Sequence, residues 1–162
     1  MRFSEYEFKH ALSILRDVAP QLEWEIREII GSFHSPLGRG VRPSPAMRLE
    51  QAFGRQGWLR QYMVHPERQL KFDLYKPNLV AIEIQLTDAS DIYNDFLKFQ
   101  LAYNLELVEV GVEIVYDDMC RGPSFSNVPK ISKVKKDLET FRRIISCPIW
   151  VIGLKPEEGG ES

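Results

Sequence analysis

The chain has 162 residues, of which 44% are hydrophobic and 27% are charged, and its formal net charge at pH 7 is −2. These values are typical of one globular domain and exclude a wholly disordered chain. The sequence also lacks the apolar run of a signal peptide and any apolar stretch long enough to span a bilayer, so we expect a cytoplasmic protein without membrane contact. Its two cysteines have no metal-ligand spacing and are predicted to be free, buried thiols.

The N-terminal part of the chain is predicted to be mainly helical. Residues 5–30 have an amphipathic helical pattern with a break at Ala19-Pro20, because proline cannot continue a helix. A loop rich in glycine, proline and serine follows over residues 31–43. Ser44 is a typical N-cap with a proline after it, which predicts a further helix that ends near Arg55.

The rest of the chain alternates between strands and helices. Predicted strands have alternating or continuous apolar residues, and predicted helices have an apolar residue at every third or fourth position. The strands are 58–64, 70–75, 79–86, 108–116 and 148–154, and the helices begin near Asp91 and Ile131. This order predicts an α/β fold in which a mixed sheet of about five strands is covered by helices on both sides. A polar tail, residues 155–162, is predicted to be frayed.

The charge is distributed unevenly along the chain. Residues 34–68 have a balance of +4, residues 69–120 a balance of −7, and residues 121–146 a balance of +5. Two basic segments around an acidic one are typical of a protein that binds a polyanion and holds a divalent metal in a carboxylate cluster. Solvated faces of surface helices would give the same distribution, so charge alone leaves both interpretations open.

Three polar residues on two neighbouring predicted strands form the sharpest local motif. Glu83 and Gln85 are two residues apart on one strand, so they share a face at a separation of about 6.5 Å. If the turn loop has three residues, 77–79, Asp73 lies directly opposite Glu83 at about 5 Å. Two carboxylates this close repel each other unless a cation lies between them.

A hard divalent cation fits this motif. Mg²⁺ prefers one or two carboxylates together with water and phosphate oxygens, and the backbone carbonyl of Ile84 is a further candidate ligand. The alternative is that Asp73, Glu83 and Gln85 simply form the solvated polar face of an antiparallel hairpin.

The block from Phe72 to Gln85 resembles the active-site motif of the PD-(D/E)xK nuclease superfamily, in the glutamine-bearing form of restriction endonucleases of the BglII type. Residues 50–58, 94–100 and 147–154 resemble the helix before the core strands, the helix after the motif and the last core strand. The resemblance implies one nuclease-like domain over residues 1–154, with an N-terminal helical region, 1–33, and a restriction-endonuclease-like catalytic core, 34–154.

The resemblance further implies a Mg²⁺-dependent type II restriction endonuclease that hydrolyses phosphodiester bonds of double-stranded DNA, with Mn²⁺ able to replace Mg²⁺ and no nucleotide cofactor. Asp73 and Glu83 would hold the metal with the Ile84 carbonyl, and Gln85 would help to place the attacking water. Glu50 is the candidate for a further acidic group, or else a solvated helix glutamate. Two departures from the superfamily are Phe72 for the usual proline and Gln85 for the usual lysine, so that activation of the water depends more on the metal.

Basic and amide side chains outside the motif are candidate DNA contacts. Arginine and lysine bind phosphates, and arginine and asparagine match the edges of guanine and adenine. The candidates are Arg39, Arg42, Lys98, Arg121, Asn127, Lys130 and Lys133. Each of them also fits an ordinary surface position.

Cutting both strands of a palindromic site requires two active sites, so a homodimer is expected, with the N-terminal helices as its candidate contact. Two other functions remain open at this point. One is a repair or junction-resolving nuclease, and the other is a non-catalytic DNA- or protein-binding module with the same fold. A binding module would show no Mg²⁺ dependence through Asp73 and Glu83.

Overall fold

A computed structural model describes residues 1–68 and 70–156, so most of the predicted polar tail lies outside the described residues. The strands are β1 (Phe3–Phe8), β2 (Leu59–His65), β3 (Leu70–Lys76), β4 (Val80–Ile84), β5 (Val110–Tyr116) and β6 (Ile149–Leu154). The helices are α1 (Ala11–Val18), α2 (Pro20–Gly31), α3 (Pro45–Arg55), α4 (Ile92–Asn104) and α5 (Ile131–Thr140). The predicted α/β fold with a mixed, helix-covered sheet is confirmed.

The strands form one sheet in the order β1-β6-β5-β4-β3-β2. The central strands β4, β5 and β6 are parallel to one another, and the outer pairs β1/β6, β3/β4 and β2/β3 are antiparallel. Every residue of the three parallel strands is buried. This burial explains their nearly continuous apolar sequences, because both faces of a parallel sheet are covered.

Helices cover the two faces of the sheet and form two separate cores. Helices α1, α2 and α3 pack on one face, against side chains such as Val80, Val112 and Ile152. Helices α4 and α5 pack on the other, against side chains such as Ala81 and Val151. Among the described residues, both cysteines are buried free thiols, as predicted, and no helix is long and apolar enough to cross a membrane.

The N-terminus differs from the sequence prediction, because residues 3–8 form a strand and the sheet therefore has six strands rather than about five. Strand β1 pairs antiparallel with β6 from Phe3 to Phe8, and the first helix begins only at Ala11. The helical pattern is overridden here by tertiary pairing, since aromatic side chains suit a half-buried edge strand. The predicted break at Pro20 is confirmed, because α1 ends at Val18 and α2 begins at Pro20.

A glycine sets how closely α4 approaches the sheet. A Cβ atom on Gly111 of β5 would lie 2.8 Å from ring atoms of Phe99 on α4, closer than side-chain atoms approach one another. The ring therefore occupies the space that any larger residue at position 111 would need. This close packing brings the neighbouring Lys98 of α4 over the carboxyl end of β4.

Candidate active site

The hairpin formed by β3 and β4 has the predicted three-residue loop and the predicted register. Leu74 pairs with Ile82 and Tyr75 with Ala81, so continuation of the ladder by one residue sets Asp73 opposite Glu83. The ladder ends there, and the Asp73 carboxylate instead accepts a hydrogen bond from the backbone N–H of Ile84 at 2.8 Å. Asp73 is thereby fixed beside the strand that bears Glu83 and Gln85.

A cavity of about 300 Å³ opens between this hairpin and α4. Its lining combines the predicted motif with side chains from α4 and the residue before it. The lining residues are Asp73, Glu83, Ile84, Gln85, Asp91, Asn94, Asp95 and Lys98. The motif therefore lines a polar cavity and is not the open face of a hairpin.

The α4 side of the cavity contains a buried ion-pair cluster. The Lys98 ammonium lies 2.6 Å from Glu83 Oε1 and 2.9 Å from Asp95 Oδ1, and it also donates to the backbone carbonyl of Lys71 at 3.3 Å. Glu83 and Asp95 are each only 4% exposed. Two buried carboxylates thus share one ammonium.

Burial and this clustering shift the protonation equilibria of all three groups. Burial, with the nearby Asp73 and Asp95 carboxylates, raises the pKa of Glu83, against the opposing effect of Lys98. Burial also raises the pKa of Asp95. Burial alone would lower the pKa of Lys98, but the Glu83 and Asp95 carboxylates outweigh it and raise that pKa. The ammonium stays charged, and further positive charge in the cavity would lower both carboxyl pKa values.

A further buried acid lies next to Glu83. Glu113 of β5 is the register partner of Glu83 on β4 and is completely buried. Neither of its carboxyl oxygens accepts a hydrogen bond from the described part of the chain. Burial, together with the nearby Asp95 and Glu83 carboxylates, raises the pKa of Glu113 well above its usual range.

The opposite side of the site is more exposed and is connected by amide hydrogen bonds. Gln61 of β2 donates from Nε2 to Asp73 Oδ1 at 3.2 Å and to Glu50 Oε1 at 3.3 Å. Glu50 also forms an ion pair with Arg60 at 3.4 Å. Glu50 thus lies behind Asp73, linked to it through Gln61, and it is not among the residues that line the cavity.

The carboxylate oxygens of the cavity suit a hard cation in chemical type and charge. Within residues 1–68 and 70–156, no group of three or more His, Cys, Asp or Glu side chains is arranged to hold a metal ion. The candidate ligand set is thus the two carboxylates of Asp73 and Glu83 and the backbone carbonyl of Ile84, and all three residues line the cavity. Such a set, completed by water and phosphate oxygens, is what Mg²⁺ favours. Four cavity carboxylates against the single Lys98 ammonium leave an excess of negative charge that a cation would balance.

Some of the candidate DNA-contact residues lie beside the cavity. Arg39 donates to the carbonyl of Thr87 at 3.2 Å, and Thr87 Oγ1 in turn donates to Gln85 Oε1 at 3.0 Å. The carbonyl of Asn127 accepts a hydrogen bond from the backbone of Ala89 at 3.1 Å. The loops that contain Arg39 and Asn127 therefore meet at the end of the strand that bears Gln85.

The other candidates are placed differently. Arg42 and Arg121 are exposed. Lys130 donates to the carbonyl of Cys120, and Lys133 pairs with Asp137 at 2.5 Å. The ammonium groups of Lys130 and Lys133 are thus already bound within the chain. Lys98, in contrast, belongs to the cavity itself.

Sequence reasoning did not identify five residues of the site, namely Gln61, Asp91, Asn94, Asp95 and Glu113. A signal existed for Glu113, because it is the one charged residue in the otherwise apolar strand 110–116. Asp95 lies three residues before Lys98, a spacing that makes an ion pair on a helix. Gln61 could be found only by aligning β2 with β3, whose pairs Arg60/Leu74 and Tyr62/Phe72 flank it.

Comparisons with known proteins agree with this architecture. A family model described as restriction endonuclease BglII/BglIII matches residues 3–154. The crystal structure of restriction endonuclease BglII complexed with a DNA 16-mer matches with a TM-score of 0.80 and 15% identity, over 97% of this chain and 79% of that chain. The structure of free BglII matches with a TM-score of 0.74 and 17% identity, over 97% and 81%. Comparison with curated protein sequences gives no match. At such low identities, the structural likeness establishes a shared fold.

Proposed function

The chain belongs to the BglII/BglIII family of restriction endonucleases, and we propose that it cuts double-stranded DNA as a Mg²⁺-dependent homodimer. As a member of this family it is a type II restriction endonuclease, an enzyme that hydrolyses phosphodiester bonds of DNA at specific sites. The metal, the residue roles, the DNA contacts and the dimer are parts of the proposal.

The observation that carries the metal proposal is the excess of carboxylates over cations in the cavity beside Asp73 and Glu83. These two residues, with the Ile84 carbonyl, would hold Mg²⁺, and Mn²⁺ would replace it. The bound ion would lower the pKa of a coordinated water and polarise the scissile phosphate. Thr87 donates to Gln85 Oε1, which leaves the Gln85 NH₂ group as a donor that orients the water or a phosphate oxygen.

Glu50 remains the candidate for the further acidic group. Its link to Asp73 through the Gln61 amide supports a role in holding the Asp73 carboxylate in place for the metal. Truncation of such supporting groups typically reduces metal affinity or activity by about 10–100-fold.

Arg39, Arg42, Arg121 and Asn127 are the proposed DNA contacts around the cavity. Arg39 and Asn127 are supported by their position beside the end of β4, where the scissile phosphate would bind. Lys130 and Lys133 were also candidates, but they would have to exchange internal partners for DNA.

A second copy of the chain is proposed to cover an apolar patch on α4 and the end of α5. This patch consists of the exposed side chains Tyr93, Leu97, Phe141 and Ile144, of which Leu97 is 62% and Ile144 66% exposed. Tyr93 and Phe141 are already in edge contact with ring centroids 6.0 Å apart, which makes the patch continuous. Part of the patch lies on α4, the helix that also contains Asp95 and Lys98. A dimer contact at this patch would therefore connect the active sites of the two copies through α4.

The dimer contact has a direct test. Leu97→Glu with Ile144→Glu is expected to give monomers in sedimentation and to abolish double-strand cutting. The matched control is Trp24→Glu on α2, an exposed apolar residue of the N-terminal helices. Monomers from Trp24→Glu and dimers from the double variant would move the contact to the N-terminal helices instead.

The function itself is tested by digestion of a large unmethylated phage genome with purified protein, with and without Mg²⁺, beside Glu83→Ala. Discrete fragments that need Mg²⁺ and vanish in the variant are expected. Cleavage in EDTA, or by Glu83→Ala at the wild-type rate, would contradict the metal site. A smear that vanishes in the variant would favour a structure-selective nuclease.

The proposal also includes a cytoplasmic location. Cys120 and Cys147 are free thiols, the state that a reducing compartment maintains. Fractionation of cells that express the tagged chain would test this.

A further inference from the structure

The residue that contributes positive charge to the cavity comes from α4 and not from the strand motif. The strand motif itself contains no cation, because position 85 is a neutral glutamine. Among the described residues that line the cavity, Lys98 is the one cationic side chain. Phosphodiester hydrolysis builds negative charge on the phosphate oxygens, and a fixed ammonium in a cavity stabilises such charge effectively.

The ammonium of Lys98 is held by acceptors of two kinds. Asp95 at 2.9 Å and the Lys71 carbonyl at 3.3 Å have no proposed role in metal binding, whereas Glu83 at 2.6 Å is a proposed metal ligand. The Lys98 side chain is only 18% exposed, so its position is set by these contacts and by packing. An ammonium has three N–H groups, and each contact accounts for one of them.

We propose that Lys98 is a catalytic residue that supplies the ammonium the strand motif lacks, an inference that rests on the proposed Mg²⁺ site. With Glu83 engaged as a metal ligand, its contact with Lys98 would weaken and leave one N–H of the ammonium free. Asp95 and the Lys71 carbonyl keep the ammonium in the cavity, where the released N–H donates to a non-bridging oxygen of the scissile phosphate. Lys98 keeps its proton throughout, so its contribution is electrostatic and involves no proton transfer.

A purely structural role predicts something different. If Lys98 only neutralises buried carboxylates, its removal will affect folding or metal binding but will not specifically slow the chemical step. If Lys98 also donates to the scissile phosphate, its removal will slow the chemical step, while the loss of its contact with Glu83 will leave metal binding as tight or tighter. A slower chemical step without weaker metal binding is therefore expected only under the catalytic proposal.

The test compares Lys98→Met, Lys98→Arg and the exposed control Lys135→Met with the unmodified chain. Single-turnover cleavage is measured at saturating Mg²⁺ and enzyme, and Mg²⁺ binding to the DNA-free protein is measured by calorimetry. Lys98→Met is expected to slow cleavage about 100-fold, the usual effect of removing one transition-state donor. It is also expected to bind Mg²⁺ at least as tightly as the unmodified chain. Lys98→Arg should recover part of the rate, and Lys135→Met should match the unmodified chain.

Folding is controlled with a second variant, because Lys98→Met leaves two buried carboxylates without a counter-charge. Lys98→Met with Asp95→Asn removes one of them and should remain folded, with the same slow cleavage. Near-wild-type cleavage by either variant, or Mg²⁺ binding lost together with cleavage, would overturn the catalytic role. If the unmodified chain itself neither binds Mg²⁺ nor cleaves, the proposed function fails and not the role of Lys98 within it.

Discussion

The two walls of the cavity bind their carboxylates in different ways. On the α4 side, Glu83 and Asp95 are almost completely buried and share the Lys98 ammonium at 2.6 and 2.9 Å. On the β2 side, Asp73 accepts hydrogen bonds from an amide side chain and a backbone N–H, at 3.2 and 2.8 Å. A buried wall must balance its charges internally, whereas a partly exposed wall leaves part of that balance to water. Substitutions on the buried wall should therefore change stability and pH dependence, and substitutions on the outer wall should mainly change activity.

The largest expected effect is shared by both walls, because each contributes one proposed metal ligand. Asp73→Asn and Glu83→Gln should each reduce single-turnover cleavage about a thousandfold or more, since each removes a charged group on which the reaction depends. Glu109→Gln, at an exposed glutamate, should leave cleavage unchanged and serves as the control. Retention of a tenth of the activity by either variant would remove that residue from the metal site.

The second prediction concerns the packing that positions the buried wall. Gly111→Ala would set a Cβ 2.8 Å from the Phe99 ring, and such overpacking should cost about 1–3 kcal/mol of unfolding free energy. Because Phe99 is adjacent to Lys98, cleavage should also fall. Gly31→Ala is the matched control, because no atom lies within 4 Å of the added Cβ and the change should be neutral or stabilising. Denaturant titration of both variants measures the change in unfolding free energy. Equal changes in the two variants would contradict the close approach of α4 to the sheet.

The contrast between the walls also explains how much of the site the sequence could predict. Asp73, Glu83 and Gln85 lie on one hairpin, so a turn signal and strand alternation were sufficient to bring them together. The other groups of the buried wall come from α4, and nothing local indicates which of the polar residues of α4 faces β4. Lys98 was accordingly predicted only as a DNA contact, without its place in the cavity, and Asp95 was not singled out. Strand β1 was missed for the same reason, since only its pairing with β6 makes residues 3–8 extended.

The third prediction tests the outer wall through Gln61. Gln61→Ala removes the amide between Asp73 and Glu50 and should reduce cleavage about tenfold, the low end for groups that support a metal ligand. Gln61 has a φ of 50°, a left-handed conformation that costs a residue with a Cβ about 1 kcal/mol. Gln61→Gly should therefore cleave as slowly as Gln61→Ala but be more stable by about that amount. Thermal melts beside cleavage rates would show this, and a glycine variant that cleaves at the rate of the unmodified chain would show that the Gln61 amide is not needed.

The smallest expected effect is a pH-dependent change in stability that originates from Glu113, next to the buried wall. The outer wall has no completely buried acid of this kind among the described residues. Burial raises the pKa of Glu113 above its ordinary value of 4.5, so the folded chain keeps a proton that the unfolded chain releases as the pH increases. The unfolded state then binds fewer protons, and stability falls with increasing pH from about 4.5 up to the folded pKa. Each pKa unit in that interval costs about 1.4 kcal/mol.

Glu113→Gln removes this loss, so its melting temperature relative to the unmodified chain should increase between pH 5 and pH 8. A gain of at least about 2 °C is expected, since about 1 kcal/mol changes the melting temperature of a chain of this size by about 2–4 °C. Glu109→Gln, at an exposed position, should show no such increase. If the two variants have the same pH profile, Glu113 carries no protonation cost on folding. The buried and outer walls would then differ in geometry but not in the pH dependence of their contribution to stability.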